Sequence, residues 1–258
     1  MQVSLDREAD RPHVAHLRID AGELNLFTEA RANRLRERVE SVPDDVAVLT
    51  IGAPHAAEAV RGLSAGLDLE WARDLDANEG RRLLRSFYDL IEAVRDCDAV
   101  VVCRCGDYTL GVGFELAAAC EFRVATADAT LGLPEVDVGL PTVIHGGLLL
   151  RLVGEGVANE LVYTGETLSG ERAESLGVVT KAPTAAEYED AVDGLVDTLA
   201  AKSPRVVRSQ KRVMRKFRSA GLEEGIEASI ADAGRAFGTP DQREAMAAFL
   251  EGRDPEFE

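Results

Sequence analysis

The hydrophobic pattern alternates between short apolar runs and longer stretches with helical periodicity. HVAHLRI at 13–19 alternates apolar and polar residues as a half-buried strand does, and VAVLTIG at 46–52 is a continuous apolar run typical of a buried strand. Between them, 28–42 has apolar residues at helical spacing after Thr28, a residue type that favours helix N-caps. The chain therefore opens with strand, helix and strand in succession.

The same alternation continues after a glycine-containing loop at 61–69. A long helix is predicted over 79–95, because its apolar residues fall on one face. AVVVC at 99–103 reads as another buried strand, and GVGFELAAAC at 111–120 opens a helix of small residues. Strands that alternate with glycine loops and helices indicate an α/β fold with crossover connections.

The pattern changes class in the last quarter of the chain. Two short strands are predicted at 122–125 and 129–133, whereas only helical patterning occurs beyond about residue 185. We therefore divide the chain into a core that holds the strands, residues 1–190, and a helical region, residues 191–258.

Composition narrows the function classes. The 258 residues are 46 % hydrophobic, which suffices for a full core, and the formal net charge is −17. Such a surface disfavours nucleic acid and anionic membranes as general partners. Lysine occurs at only four positions. We interpret the acidic excess as adaptation to a high-salt cytoplasm, where repulsion is screened beyond about 3 Å at 1 M salt. An ordinary acidic protein is the alternative.

The four cysteines give no sign of a metal site. They are Cys97, Cys103, Cys105 and Cys120, and they contain no CxxC pair. We place Cys103 and Cys105 on opposite faces of a strand and expect reduced, buried thiols and no metal. No stretch is long and apolar enough to span a bilayer, and the N-terminal segment lacks a signal-peptide core, so we expect a cytoplasmic protein.

Two glutamates lie in apolar surroundings. Glu115 lies among glycine, alanine, phenylalanine and leucine, where an unpaired buried charge would cost several kcal/mol. A solvated helix glutamate is the alternative to one that lines a cavity. Twenty residues later, Glu135 follows Pro134, which we expect to set a loop. If the two carboxylates meet, their pKa values separate, as an acid and base pair requires.

Two glycine-containing turns are candidates for backbone donors. LSAGLDL at 63–69 and LGVG at 110–113 let the chain approach a ligand closely and direct N–H groups at it. A helix that begins near Gly111 adds its dipole to such a site. Each turn alone is a common structural feature.

Taken in order, these segments resemble the crotonase superfamily of enoyl-CoA hydratases and isomerases. The resemblance runs from ELNLFT at 23–28 through LSAGLDL, YTLGVGFELAAACEFRVA and LGLPEVDVGLP to the ending AFLEGRDPEF. It implies a spiral of ββα units with a C-terminal helical trimerisation region. It also implies a homotrimer or dimer of trimers, an acyl-CoA thioester substrate and no cofactor.

The resemblance also assigns the site residues. It implies that the N–H groups of Leu67 and Val112 form an oxyanion hole, and that Glu115 and Glu135 are the catalytic pair of an enoyl-CoA hydratase. We favour Glu115 as the ionised member that takes a proton from water and Glu135 as the donor to Cα. The substrate-binding residues implied with them are Ala65, Gly66, Leu67, Asp68, Gly111 and Val112.

One segment departs from the family pattern. PTVIHGGLLLR at 141–151 carries Thr142, Val143, Ile144 and His145 where the family commonly has small residues. We expect these side chains to narrow or reshape the pocket beside Glu135. His145 is either structural or in contact with substrate, and the second case would suit double-bond isomerisation or thioester hydrolysis.

A basic run at 204–218 has no acidic residue. Arg208 and Lys211 are candidates to meet the phosphates of coenzyme A, and an amphipathic helix with a solvated basic face is the alternative. An RNA-binding module conflicts with the charge of −17. A catalytically silent interaction subunit conflicts with the presence of both glutamates.

Overall fold

The computed structural model describes residues 2–54 and 60–257, and a six-stranded sheet lies at its centre. Four central strands are parallel, and an antiparallel strand flanks them at each edge. The strands lie side by side in chain order: β1 (Gln2–Arg7), β2 (Val14–Asp20), β3 (Val48–Gly52), β4 (Val100–Leu110), β5 (Phe122–Gly132) and β6 (Thr167–Leu168).

Helices connect the parallel strands and make up the end of the chain. The elements from Tyr188 onward are all helical, and a kink at Gly154, where φ is +74°, divides α5 into two segments. The helices are α1 (Glu29–Glu40), α2 (Leu69–Ala72), α3 (Ala77–Asp96), α4 (Val112–Ala119), α5 (Gly147–Thr164), α6 (Gly170–Ser175), α7 (Tyr188–Ala200), α8 (Pro204–Ser219), α9 (Leu222–Gly234) and α10 (Pro240–Glu251), with 3-10 turns at Pro134–Val138 and Ala185–Glu187. The predicted α/β class is confirmed.

Local sequence signals explain where the first helices begin. The hydroxyl of Thr28 accepts the Arg31 N–H at the start of α1, as predicted for an N-cap. At α3, Asp76 accepts the Glu79 N–H while the Glu79 carboxylate accepts the Asp76 N–H, which forms a capping box. These contacts fix the start of the long helix that forms one wall of the site described below.

Both faces of the central sheet carry buried apolar side chains and are covered by helices, as is typical of parallel strands. On one face, one valine from each of four adjacent strands packs against Tyr188 and Val192 of α7. The other face packs against the larger core, to which α1, α3 and α4 contribute. The four valines are Val14, Val48, Val102 and Val124.

Several sequence predictions are corrected here. The strand predicted at 99–103 extends to Leu110, and the two short strands predicted after it are the single strand β5. The Sγ atoms of Cys103 and Cys105 lie 3.7 Å apart, so these residues share a face, as side chains two positions apart in a strand do. Pro134 begins a 3-10 turn rather than a loop.

Two further features concern metals and membranes. Across the described residues, histidine, cysteine and acidic side chains form no group of three that could hold a metal ion. Within the same ranges, no helix is long and apolar enough to cross a membrane.

Candidate active site

The two glutamates lie just beyond the carboxyl ends of two adjacent strands. β4 and β5 are parallel neighbours, Leu110 pairs with Gly132, and the Gly111 N–H donates to the Gly132 carbonyl at 3.0 Å. Because α4 follows β4 and the 3-10 turn follows β5, Glu115 lies in the first turn of one and Glu135 in the first turn of the other. The 20-residue spacing between the two glutamates therefore corresponds to the short helix α4 and the strand β5 that follows it.

A second loop runs beside the end of β4. The Leu63 N–H donates to the Cys105 carbonyl at 3.0 Å, and the Leu110 N–H donates to the Ser64 carbonyl at 2.9 Å. These bonds hold the glycine-containing turn of residues 63–67 against the turn that begins α4.

Each predicted backbone donor follows a glycine with positive φ. Gly66 has φ +95° and Gly111 has φ +56°, conformations that residues with a Cβ rarely adopt. A Cβ added to Gly66 would lie 3.6 Å from the Gly111 Cα, so the two turns are in contact. Among the described residues, the N–H groups of Leu67 and Val112 have no hydrogen-bond partner. Two adjacent donors are therefore available to one acceptor.

These donors and both glutamates line one cavity of about 180 Å³. The remaining wall is mainly apolar and includes Leu84, Phe87, Val143 and Ile144. Five of the six residues predicted to bind substrate line this cavity, and Asp68 does not. Asp68 instead caps α2 by accepting the Trp71 N–H at 3.1 Å, which corrects its predicted role.

Glu115 is the more deeply buried carboxyl group. Glu115 is only 3 % exposed, and its Oε1 accepts the Gly146 N–H at 2.9 Å. Burial, and after it the charge of Glu135, raises the pKa of Glu115 to about 8. Burial therefore favours the protonated form of Glu115, which weighs against our expectation that it is the ionised member.

Glu135 has a side-chain donor of its own. Its Oε2 accepts the Thr142 hydroxyl at 3.1 Å, and its Oε1 faces the Gly111 turn, 3.2 Å from the position of a Cβ added there. Burial raises the pKa of Glu135, while the Thr142 hydroxyl opposes that change. Sequence reasoning treated Thr142 only as a group that narrows the pocket and missed this contact.

Val143 and Ile144 of the segment 141–151 line the cavity, and that they narrow or reshape it stays a prediction. His145 lies behind the wall. Its Nε2 is 2.7 Å from Glu92 Oε1, and its ring stacks on Tyr88 with centroids 5.4 Å apart. His145 does not line the cavity, which favours its structural interpretation.

The basic helix α8 is used for packing. Lys211 is 4 % exposed, and its ammonium donates to the Val94 and Ala99 carbonyls and pairs with Glu121 at 3.0 Å. It therefore does not offer its charge to a solvent-exposed phosphate, which corrects the prediction. Arg208 lies off the cavity wall.

Other cations of α8 lie at the surface and pair with acids, which agrees with the alternative of an amphipathic helix with a solvated basic face. Arg215 pairs with Asp96 at 2.9 Å and Lys216 with Asp232 at 2.6 Å.

Fold and site together define a crotonase-type protein. Residues 15–258 match the family model described as Enoyl-CoA hydratase/isomerase. The chain belongs to this family.

Curated relatives and solved structures agree with the assignment. The chain is 29 % identical over 238 residues to the crotonyl-CoA hydratase of Syntrophomonas wolfei, covering 91 % of this chain and 90 % of that protein. It is 34 % identical over 200 residues to a probable enoyl-CoA hydratase of Bacillus subtilis, covering 76 % and 78 %. A crystal structure of an enoyl-CoA hydratase from Bacillus anthracis superposes with a TM-score of 0.90 at 26 % identity, covering 100 % and 99 %.

Proposed function

We propose that this protein is an enoyl-CoA hydratase that adds water across the 2,3 double bond of a 2-enoyl-CoA thioester. The observation that carries the proposal is the meeting of one buried and one half-buried carboxyl group with two free backbone donors in one apolar cavity. The names of the relatives described above support the same reaction.

The backbone donors supply the electrostatic part of the mechanism. The thioester carbonyl oxygen accepts the N–H groups of Leu67 and Val112, which makes Cβ electrophilic and stabilises the negative charge that develops on oxygen. Each well-placed donor of this kind contributes about 3 to 4 kcal/mol to the transition state. Val112 is the first residue of α4, so the helix dipole acts in the same direction.

The carboxyl pair supplies the proton transfers. One water held between the carboxyl groups attacks Cβ, and its proton passes to the ionised Glu135. The π electrons move toward the thioester, and Cα takes a proton from Glu115. The raised pKa of Glu115 supports its role as the donor. A proton exchange between the carboxyl groups then restores the starting state.

Assembly and location complete the proposal. We propose residues 191–258 as the oligomerisation region of a homotrimer or a dimer of trimers. Several large apolar side chains on α9, α10 and the segment between them are exposed in the single chain, which supports this assignment: Leu222, Ile230, Phe237, Phe249 and Leu250. The charge of −17 and the scarcity of lysine support a cytoplasm with high salt. Coenzyme A enters as part of the substrate, and no other cofactor is proposed.

A panel of acyl-CoA thioesters tests the reaction class. Purified protein is incubated at high salt with 2-enoyl, 3-enoyl and saturated acyl-CoA, and the products are identified by mass. Hydration gives a 3-hydroxyacyl-CoA from the 2-enoyl substrate and leaves the saturated thioester intact. Isomerisation without hydration, or release of free coenzyme A, would overturn the proposal in favour of an isomerase or a thioester hydrolase.

A further inference from the structure

The turn that replaces the small residues of the family has an unusual backbone. The Gly146 N–H donates to the Val143 carbonyl at 3.0 Å, which closes a β-turn, and the same N–H lies 2.9 Å from Glu115 Oε1. Ile144, the second residue of this turn, has φ +53°. A β-branched residue in the left-handed region is rare and unfavourable. Such strain persists only where the surroundings enforce it.

The residue that follows enforces this conformation. His145 is 6 % exposed, held by Glu92 and stacked on Tyr88, both of which belong to α3. His145 is fixed on α3 and Gly146 is bonded to Glu115, so the backbone directly after Ile144 has little freedom. The Ile144 side chain is half-buried and forms part of the cavity wall.

Ile144 forms a thin partition in the cavity wall. Together with Leu84 of α3 it lines both the catalytic cavity and an outer groove on α3, so these two side chains separate the two spaces. Leu84 is 42 % exposed, so its outer side faces solvent. The groove beyond it is polar and basic, with Asn78, Arg81, Arg82 and Arg85 on its wall.

We propose that Ile144 is a specificity-determining residue that ends the acyl-binding part of the cavity and restricts the protein to short-chain thioesters. This inference rests on the proposed function for the nature of the ligand. The cavity has a volume of about 180 Å³, and Ile144 and Leu84 close it on the side of the groove. A short acyl chain ends inside this wall, whereas a longer chain must pass Ile144 and Leu84.

The experiment compares chain-length profiles of the wild type with Ile144→Ala and Ile144→Gly. Binding of butyryl-CoA and octanoyl-CoA is measured by calorimetry, and hydration of the matching 2-enoyl thioesters is measured as kcat/KM. The wild type should prefer the four-carbon compounds by about tenfold or more, the effect of roughly 1.4 kcal/mol of differential binding. Both variants should reduce this preference by about the same factor, because they connect the cavity to the groove.

Two controls separate the partition from general damage. Leu150→Ala removes a leucine that is 50 % exposed on α5 and outside the cavity wall, so it should leave the profile unchanged. Ile144→Gly relieves the left-handed strain that Ile144→Ala retains, so the glycine variant should melt at the higher temperature of the two.

The outcomes distinguish this inference from the reaction class. Equal binding of short and long acyl-CoA by the wild type, or a preference that both Ile144 variants leave intact, would refute the inference while hydration stands. Chain-length discrimination in binding without any hydration would refute the hydratase proposal and retain the role of Ile144.

Discussion

Replacing Glu115 with glutamine removes a buried titrating group and should change how stability depends on pH. The raised pKa means that folded Glu115 binds a proton more tightly than unfolded Glu115 does. This contribution to stability is fully present below the ordinary pKa of 4.5 and is lost as pH rises towards the folded pKa of about 8. Glutamine has the same shape, can still accept the Gly146 N–H and does not titrate.

The size of the effect follows from the two pKa values. The free energy of unfolding changes by about 1.36 kcal/mol per pH unit. The wild type should therefore lose about 4 kcal/mol of its free energy of unfolding, relative to Glu115→Gln, between pH 5 and pH 8. Above about pH 8 the difference should become constant, because both folded and unfolded Glu115 are then ionised.

Urea unfolding of both proteins, at matched salt and protein concentration across this pH range, measures the difference. Glu155→Gln provides the control for the loss of one carboxylate, because Glu155 is exposed. If the difference in the free energy of unfolding between wild type and Glu115→Gln stays constant from acid to alkaline pH, the carboxyl group is hydrated rather than buried. The reasoning would then fail.

Three further predictions concern the site and the surface. Gly111→Ala places a Cβ 3.2 Å from Glu135 Oε1 at a residue with positive φ. We expect kcat to fall about 10²- to 10³-fold, the effect of losing one oxyanion donor. Steady-state kinetics of a variant with an unchanged circular dichroism spectrum checks this. Thr142→Val keeps the methyl group but removes the donor to Glu135. The acid limb of the kcat profile should therefore move to higher pH and kcat should fall about tenfold, whereas Thr142→Ser should restore the acid limb. A pH profile of Thr142→Val identical to that of wild type would contradict the contact. The charge of −17 predicts that the melting temperature rises between about 0.1 M and 1 M KCl as repulsion is screened; calorimetry that shows no rise would count against the high-salt interpretation.

The strongly periodic elements could be predicted from the sequence. The apolar stripe of α3 and the apolar runs of β3 and β4 depend on local residue order, which the chain displays directly. The exact ends were harder to predict. The first N–H groups of a helix have no partner within that helix, so the missing N–H of proline is tolerated there. Pro134 accordingly begins a 3-10 turn where we expected a loop.

The meeting of Glu115 and Glu135 required more than their spacing. It depends on the parallel pairing of β4 with β5, which is a long-range contact that periodicity does not reveal. The resemblance to a family supplied that link. The family pattern could not supply the Thr142 contact or the left-handed Ile144, because both arise in the segment where this chain departs from it.

The basic helix shows a different limit of sequence reasoning. Its cations appear unpaired along the chain, yet their acidic partners Asp96, Glu121 and Asp232 come from three other segments. Burial of Lys211 is tolerated because Glu121 and two carbonyl groups surround its ammonium. Such pairing becomes visible only when the tertiary structure is known.

The most direct test of the central claim is the fate of a single water molecule. Crotonyl-CoA is incubated with the protein in water labelled with ¹⁸O, and the product is analysed by mass with fragmentation. The account predicts 3-hydroxybutyryl-CoA with one ¹⁸O atom on C3, formed by the wild type and lost in Glu115→Gln and Glu135→Gln. Unlabelled product, label in a released carboxylic acid, or undiminished labelling in both variants would contradict it.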